Sequence, residues 1–236
     1  MVKLPAHTDK SFDEELAALR RGVLEMGAQA AGMTAQAARL LTANDPEGVE
    51  AVLAADRALD ALRESLDERA VLVIARRQPV ANDLRSLVAV LRISAALERV
   101  GDLAKNVAKR SAALSGAAAP GDAVSAVRRM GDRARAGVEA AMGAYADLDP
   151  SRAEAVWRED ADLDAMLSSL FRELLTHMAE SPRAIGACTH LMFCAKNMER
   201  IGDHATTVAE AVNYIVTGHA FEGERPKISS VVTEED

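Results

Sequence analysis

The chain repeats itself, and the repeat limits its architecture more than any other feature. Leu97-Glu98-Arg99-Val100-Gly101-Asp102 returns as Met198-Glu199-Arg200-Ile201-Gly202-Asp203, 101 residues further on. Upstream, Asp45-Pro46 returns as Asp149-Pro150, and Asp56 and Asp60 return as Asp160 and Asp164, all at an offset of 104. Pro79 likewise pairs with Pro182, so small deletions fall before the second copy of the motif. A chain of 236 residues has room for two units of about 110 residues each.

Composition says what each unit is made of. Alanine supplies 48 residues, and aromatics only 3%. Strands favour aromatic and β-branched side chains, whereas alanine has the best intrinsic helix propensity. Helix starts are marked repeatedly. Ser11-Phe12-Asp13-Glu14 reads as a capping box, and Asp45-Pro46 and Asp149-Pro150 each set an N-cap acid before a first-turn proline. Further stops and starts fall at Arg76-Arg77-Gln78-Pro79 and Glu180-Ser181-Pro182. These marks predict six helical segments, near 11–43, 46–77, 80–113, 122–148, 150–180 and 183–217. Helices of that length span roughly 40 to 50 Å, and their short connections force antiparallel packing. The expected fold is all-α: two tandem, pseudo-symmetric three-helix bundles. The first occupies 1–115 and the second 122–217, joined by a Gly/Ala-rich linker at 116–121. Residues 218–236 read as a polar tail.

Several function classes lose support at once. The net charge of -8 leaves no basic footprint for nucleic acid. No uncharged run reaches the length of a membrane span, and residues 1–12 lack the apolar stretch of a secretory signal. Cys188 and Cys194 stand six residues apart on one helix, pointing about 120° away from alignment, so a disulfide between them is not expected. A soluble protein of a reducing compartment is the expectation. There is no Walker loop, Gly-x-Ser-x-Gly elbow or Cys-x-x-Cys pair, so nothing points to a nucleophilic enzyme.

The repeated acids are the candidate site. Residues four apart on a helix share a face, so Asp56/Asp60, Glu98/Asp102, Asp160/Asp164 and Glu199/Asp203 each present two carboxylates side by side. Such a pair repels itself, and a hard cation with oxygen ligands would relieve it. Helix phase puts Val90, Ile93, Leu97, Val100, Ala104 and Val107 on a core face, with Glu98 and Asp102 opposite. The stripe Val52, Leu59, Leu62, Leu66 and Val73 leaves Asp56 and Asp60 about 100° from its centre. The acids are therefore expected on the surface or flank of the bundles. A solvated acidic face is the ordinary reading of any one pair; recurrence at matching places favours a ligand set. Gly101 and Gly202 cost helix stability and so imply close approach, either of another helix or of a ligand. Arg99 and Arg200 fit intrahelical ion pairs or a functional role equally well. His204, beside Asp203, reads as an exposed bystander rather than a ligand. The Glu-x-x-His pair of a ferritin-like di-iron site is missing.

These motifs carry a resemblance. Ser11-Phe12-Asp13-Glu14-Glu15-Leu16, Leu24-Glu25-Met26-Gly27, Arg77-Gln78-Pro79-Val80-Ala81-Asn82-Asp83-Leu84-Arg85 and the doubled Glu-Arg-aliphatic-Gly-Asp motif make the chain closely resemble the PhoU family over about residues 10 to 217. The resemblance implies a cytoplasmic regulator of phosphate homeostasis. In that family it represses the phosphate-starvation regulon in high phosphate by linking the phosphate ABC transporter, through its ATPase subunit PstB, to the sensor histidine kinase PhoR. It also implies multinuclear metal clusters (iron, zinc, manganese or magnesium) on Asp56, Asp60, Glu98, Asp102, Asp160, Asp164, Glu199 and Asp203, and leaves a homodimer open. The copies differ, however. Asn106 follows Asp102 by four, while Thr207 holds the equivalent place, and Ser181-Pro182-Arg183 replaces the Gln-Pro opening of the first copy. A di-metal phosphohydrolase or a metal store remains the alternative, since paired metals can clamp a phosphoryl group.

Overall fold

Two of the predicted caps form as read. Asp45 Oδ1 accepts the Gly48 N–H at 2.9 Å, with Pro46 filling the first helical position behind it. Asp149 Oδ1 accepts from Ser151 N at 2.9 Å and Arg152 N at 3.1 Å. The computed structural model describes residues 10–114, 119–159 and 161–223. Its helices are α1 (Lys10–Leu40), α2 (Pro46–Arg77), α3 (Ala81–Leu114), α4 (Gly121–Asp147), α5 (Pro150–Glu159), α6 (Ala161–Glu180) and α7 (Ile185–Thr217). A 3-10 turn, Pro182–Ala184, leads into α7. The described residues contain no strand. The six expected segments are all present, the fifth as α5 and α6 on either side of residue 160.

The expected capping box at Ser11 is not seen. The chain is already helical from Lys10, so Ser11 lies within α1, and its hydroxyl accepts from the Arg77 guanidinium instead. Linker residues 115–118 and Asp160 lie outside the described residues, and Gly121 already opens α4.

The core stripes follow the periodicity. Val52, Leu59, Leu66 and Val73 of α2 are buried, as are Val90, Ile93, Leu97, Val100, Ala104 and Val107 of α3. What the periodicity did not show is how the halves meet. α3 packs most extensively on α7, α4 also packs on α7, and α1 packs on both α3 and α4. These four helices form a central layer. α2 flanks it on α1 and α3, while α5 and α6 flank it on α4 and α7. One continuous apolar core runs through both halves.

The start of the expected tail belongs to this body. Gly218, at φ 78°, closes α7 in the left-handed region that glycine adopts without strain, and its N–H donates to Tyr214 O at 2.9 Å. Asn213 Nδ2 donates to His219 O at 2.9 Å, and the Phe221 ring lies 5.2 Å from that of Trp157 on α5. Those contacts hold residues 218–223 in place; 224–236 lie outside the described residues.

Candidate functional site

In the first half, α2 and α3 bring all four predicted acids to one seam. Asp56 is not on the flank. It is buried, 4% exposed, because it follows Val52 by one turn and α3 covers it. A carboxylate taken out of water needs a charged partner, and Lys105 of α3 supplies it. Its Nζ donates to Asp56 Oδ2 at 2.7 Å and to Asp102 Oδ1 at 2.6 Å. Burial alone would push this ammonium's pKa down; the bonds to Asp102 and Asp56 more than reverse that and hold it above the ordinary lysine range. Asp60 is exposed at the outer edge of the seam, and partial desolvation followed by the charge of Asp56 raises its pKa.

Glu98 stands one turn before Asp102. Its Oε1 lies 3.3 Å from Arg63 Nη1 of α2, and Arg63 also pairs with Asp67 at 3.4 Å. Arg99 reaches Glu98 Oε2 at 3.5 Å and Asp102 Oδ2 at 3.4 Å, so it is an intrahelical charge partner. Gly101 is explained by packing. A Cβ there would meet Leu59 Cδ2 at 2.5 Å, so the residue lets α2 and α3 close on each other. Beside the seam runs an open groove of about 720 Å³, bordered by Asp60, Glu64, Asp67, Glu98, Val71 and Leu72.

The second half has the same frame and different chemistry. Glu199 on α7 is 8% exposed, another correction to the flank placement, since α7 is covered by α3, α4, α5 and α6. Lys196, itself exposed, reaches Glu199 Oε1 at 2.8 Å, whereas buried Oε2 has no hydrogen-bond partner. Burial raises the Glu199 pKa, Lys196 opposes that, and the charges of Asp203 and Asp164 add to it. Asp164 and Asp203 are half-buried. Asp160 lies outside the described residues. Gly202 lines a cavity of about 40 Å³ with Arg133, Val156, Leu163 and Thr206. Arg133 is occupied by Glu159 at 2.9 Å and Asp162 at 3.0 Å. His204 is half-buried rather than exposed, and burial, with the charges of Arg200 and Arg99, lowers its pKa.

Among the described residues, no three histidine, cysteine or acidic side chains converge as a ready metal cage. The pairs themselves were legible from spacing. The spacing of the acids does not reveal Lys105, Arg63 and Lys196 as their partners, although the sequence holds a signal: Lys105 sits three residues after Asp102, and its counterpart after Asp203 is Thr206.

A tandem pair of three-helix units, fused side by side and carrying one doubled acidic seam, defines a class of helical repeat protein. The chain belongs to the PhoU family: the PhoU domain matches residues 23–111 and again 127–212, one match within each half. It is 45% identical to a Rhizobium meliloti protein named phosphate-specific transport system accessory protein PhoU homolog, over 94% of both chains. A Caulobacter vibrioides protein of the same name is 43% identical, over 94% of this chain and 96% of its own. Among solved structures, PhoU from Pseudomonas aeruginosa superposes with a TM-score of 0.85 at 33% identity, covering 88% of this chain and all of that one. The phosphate transport system regulatory protein PhoU from Streptococcus pneumoniae, 22% identical with a TM-score of 0.81, shares the fold.

Proposed function

We propose that this protein is a cytoplasmic, non-enzymatic regulator of phosphate homeostasis. It represses the phosphate-starvation (Pho) regulon when phosphate is plentiful and modulates uptake by linking the transporter's ATPase subunit, PstB, to the sensor kinase PhoR. The observation that carries this is end-to-end likeness to proteins named as phosphate transport accessory proteins, with both PhoU domains present. No helix among the described residues is long and apolar enough to cross a membrane, so contact with a transporter would be made by docking. Long helices with broad exposed faces suit an adaptor. The test is a phosphate-starvation reporter in cells grown in high phosphate with the gene deleted. High output, silenced again by the wild-type gene, is expected. A silent reporter in the deletion strain would overturn the reading.

The same proposal gives the second half a metal ion or cluster of iron, zinc, manganese or magnesium. The buried Oε2 of Glu199, which accepts no hydrogen bond, supports it, since a carboxylate oxygen is a natural ligand for hard cations; Glu98 Oε2 also lacks a hydrogen bond but faces Arg99 Nε at 3.5 Å. Glu199, Asp203 and Asp164 would have to draw together to hold the ion, which when bound would add positive charge beside the Glu199 oxygen that Lys196 does not reach. The opposing reading is a di-metal phosphohydrolase, favoured only if purified, metal-loaded protein turns over phosphate esters.

A further inference from the structure

The two acidic seams occupy equivalent places, yet their cations differ, and the difference is written in the sequence. At the offset that relates the acids of α3 and α7, Lys105 becomes Thr206. At the offset that relates those of α2 and α6, Arg63 becomes Leu167. The first seam therefore carries two positive charges that are missing from these places in the second, which in turn has Lys196 where the first has Ala95. We infer that the Lys105 ammonium is the resident cation of the first half, so that its acids, unlike those of the second, take no metal ion.

The geometry of Lys105 argues this directly. Its Nζ sits between Asp56 and Asp102, 2.7 Å from one carboxylate and 2.6 Å from the other, which is where a bridging ion would have to go. Residues three apart on a helix are neighbours, so α3 itself keeps Nζ beside Asp102. Asp56 is buried on the opposite helix and accepts the same ammonium. The Lys105 side chain is 21% exposed. A divalent ion entering here would meet a like charge already held between two carboxylates, and expelling the ammonium would break two charge-assisted bonds. Arg63 repeats the arrangement one turn away, spanning Glu98 and Asp67 from α2.

At the place equivalent to Lys105 the second half has no ammonium to hold. The Thr206 hydroxyl is turned back onto its own helix, donating to Asp203 O at 2.7 Å. Lys196 bonds Glu199 from one turn earlier on α7 and is 55% exposed, so it stands at the surface rather than between two helices. The inference concerns this difference between the halves and does not depend on the signalling role.

The experiment is Mn²⁺ binding to the full chain, read as free Mn²⁺ by electron paramagnetic resonance. In a Glu199→Gln/Asp203→Asn background, binding is expected to be absent while Lys105 is intact. Adding Lys105→Met, which keeps the apolar stem and removes the charge, should restore Mn²⁺ binding, and adding Asp56→Asn should abolish it again. The single Lys105→Met variant should lose about 5–10 °C of Tm in chelator, because Asp56 is left buried and unpaired, and should regain it with Mn²⁺. The inference is overturned if the background variant retains Mn²⁺ that Asp56→Asn removes. It is equally overturned if folded Lys105→Met protein gains no Mn²⁺, or if its Tm does not fall. Wild-type protein that binds no Mn²⁺ would instead remove the second-half metal proposal, leaving the gain in Lys105→Met to decide this one.

Discussion

Cys188 and Cys194 show what burial does to a single side chain. Both are free thiols on α7 with no exposed surface. Burial raises the pKa of each, and carries Cys194 up to about 12 against the opposing charge of Arg110. The thiolate is the reactive form, so neither cysteine should react with Ellman's reagent at pH 8 until the protein unfolds; rapid labelling of the folded protein would contradict the packing of α7. The sign of the pH effect follows. The unfolded thiol titrates near 9 and the folded one near 12, so the unfolded state releases its proton first. The stability that Cys194 contributes is complete below pH 9 and is lost as pH rises towards 12. Cys194→Ala should flatten that alkaline decline in urea titrations. The acidic seams teach a related lesson about legibility. The four carboxylate pairs could be found from spacing, but the depth of Asp56 and Glu199 could not. Helix phase reports only a helix's own apolar stripe, whereas their burial comes from neighbouring helices.

At the scale of the element, the helix ends were the most readable part of the chain. Asp45-Pro46 and Asp149-Pro150 each satisfy orphan N–H groups locally, so their effect needs no tertiary information. Replacing either aspartate with alanine should cost about 1 kcal/mol, lowering Tm by about 2–4 °C in a chain of this size. The caps open helices in different halves and share no partner, so the double variant should lose the sum of the two. Thermal melts of the three variants check both points, and a marked shortfall would mean that tertiary packing holds α2 and α5 in place without the caps. Ser11 shows the limit of such reading. Its Ser-x-x-Glu spacing suits a cap, but α1 is helical from Lys10, and the hydroxyl is claimed by Arg77 at the far end of α2. A local pattern loses to a long-range partner that spacing cannot show.

For the whole molecule, the repeat suggested two bundles on a linker, whereas packing joins them. Equivalent helices α3 and α7 share the most extensive interface, and the apolar core continues across it. Polar contacts follow the same path: Arg110 of α3 stacks 4.3 Å over the Phe193 ring of α7 and approaches His190 Nδ1 at 3.3 Å. The sequence could not reveal this, because in each half the faces of α3 and α7 look alike whether they close a bundle of three or a layer of four. A fused core has a thermodynamic consequence. If the halves were independent, each would unfold at its own midpoint. With α3 and α7 buried against each other, opening one half exposes apolar surface of the other, at about 25 cal/mol per Å². The two should then unfold together, although a chain of this length often shows intermediates. The single tryptophan, Trp157, lies in the second half, buried against Phe221. Its fluorescence reports that half alone, while far-UV circular dichroism reports helices of both. In urea, the two signals should trace one coincident transition. A first loss of helix that leaves Trp157 fluorescence unchanged would show the first half melting separately, and the shared core would then contribute little coupling.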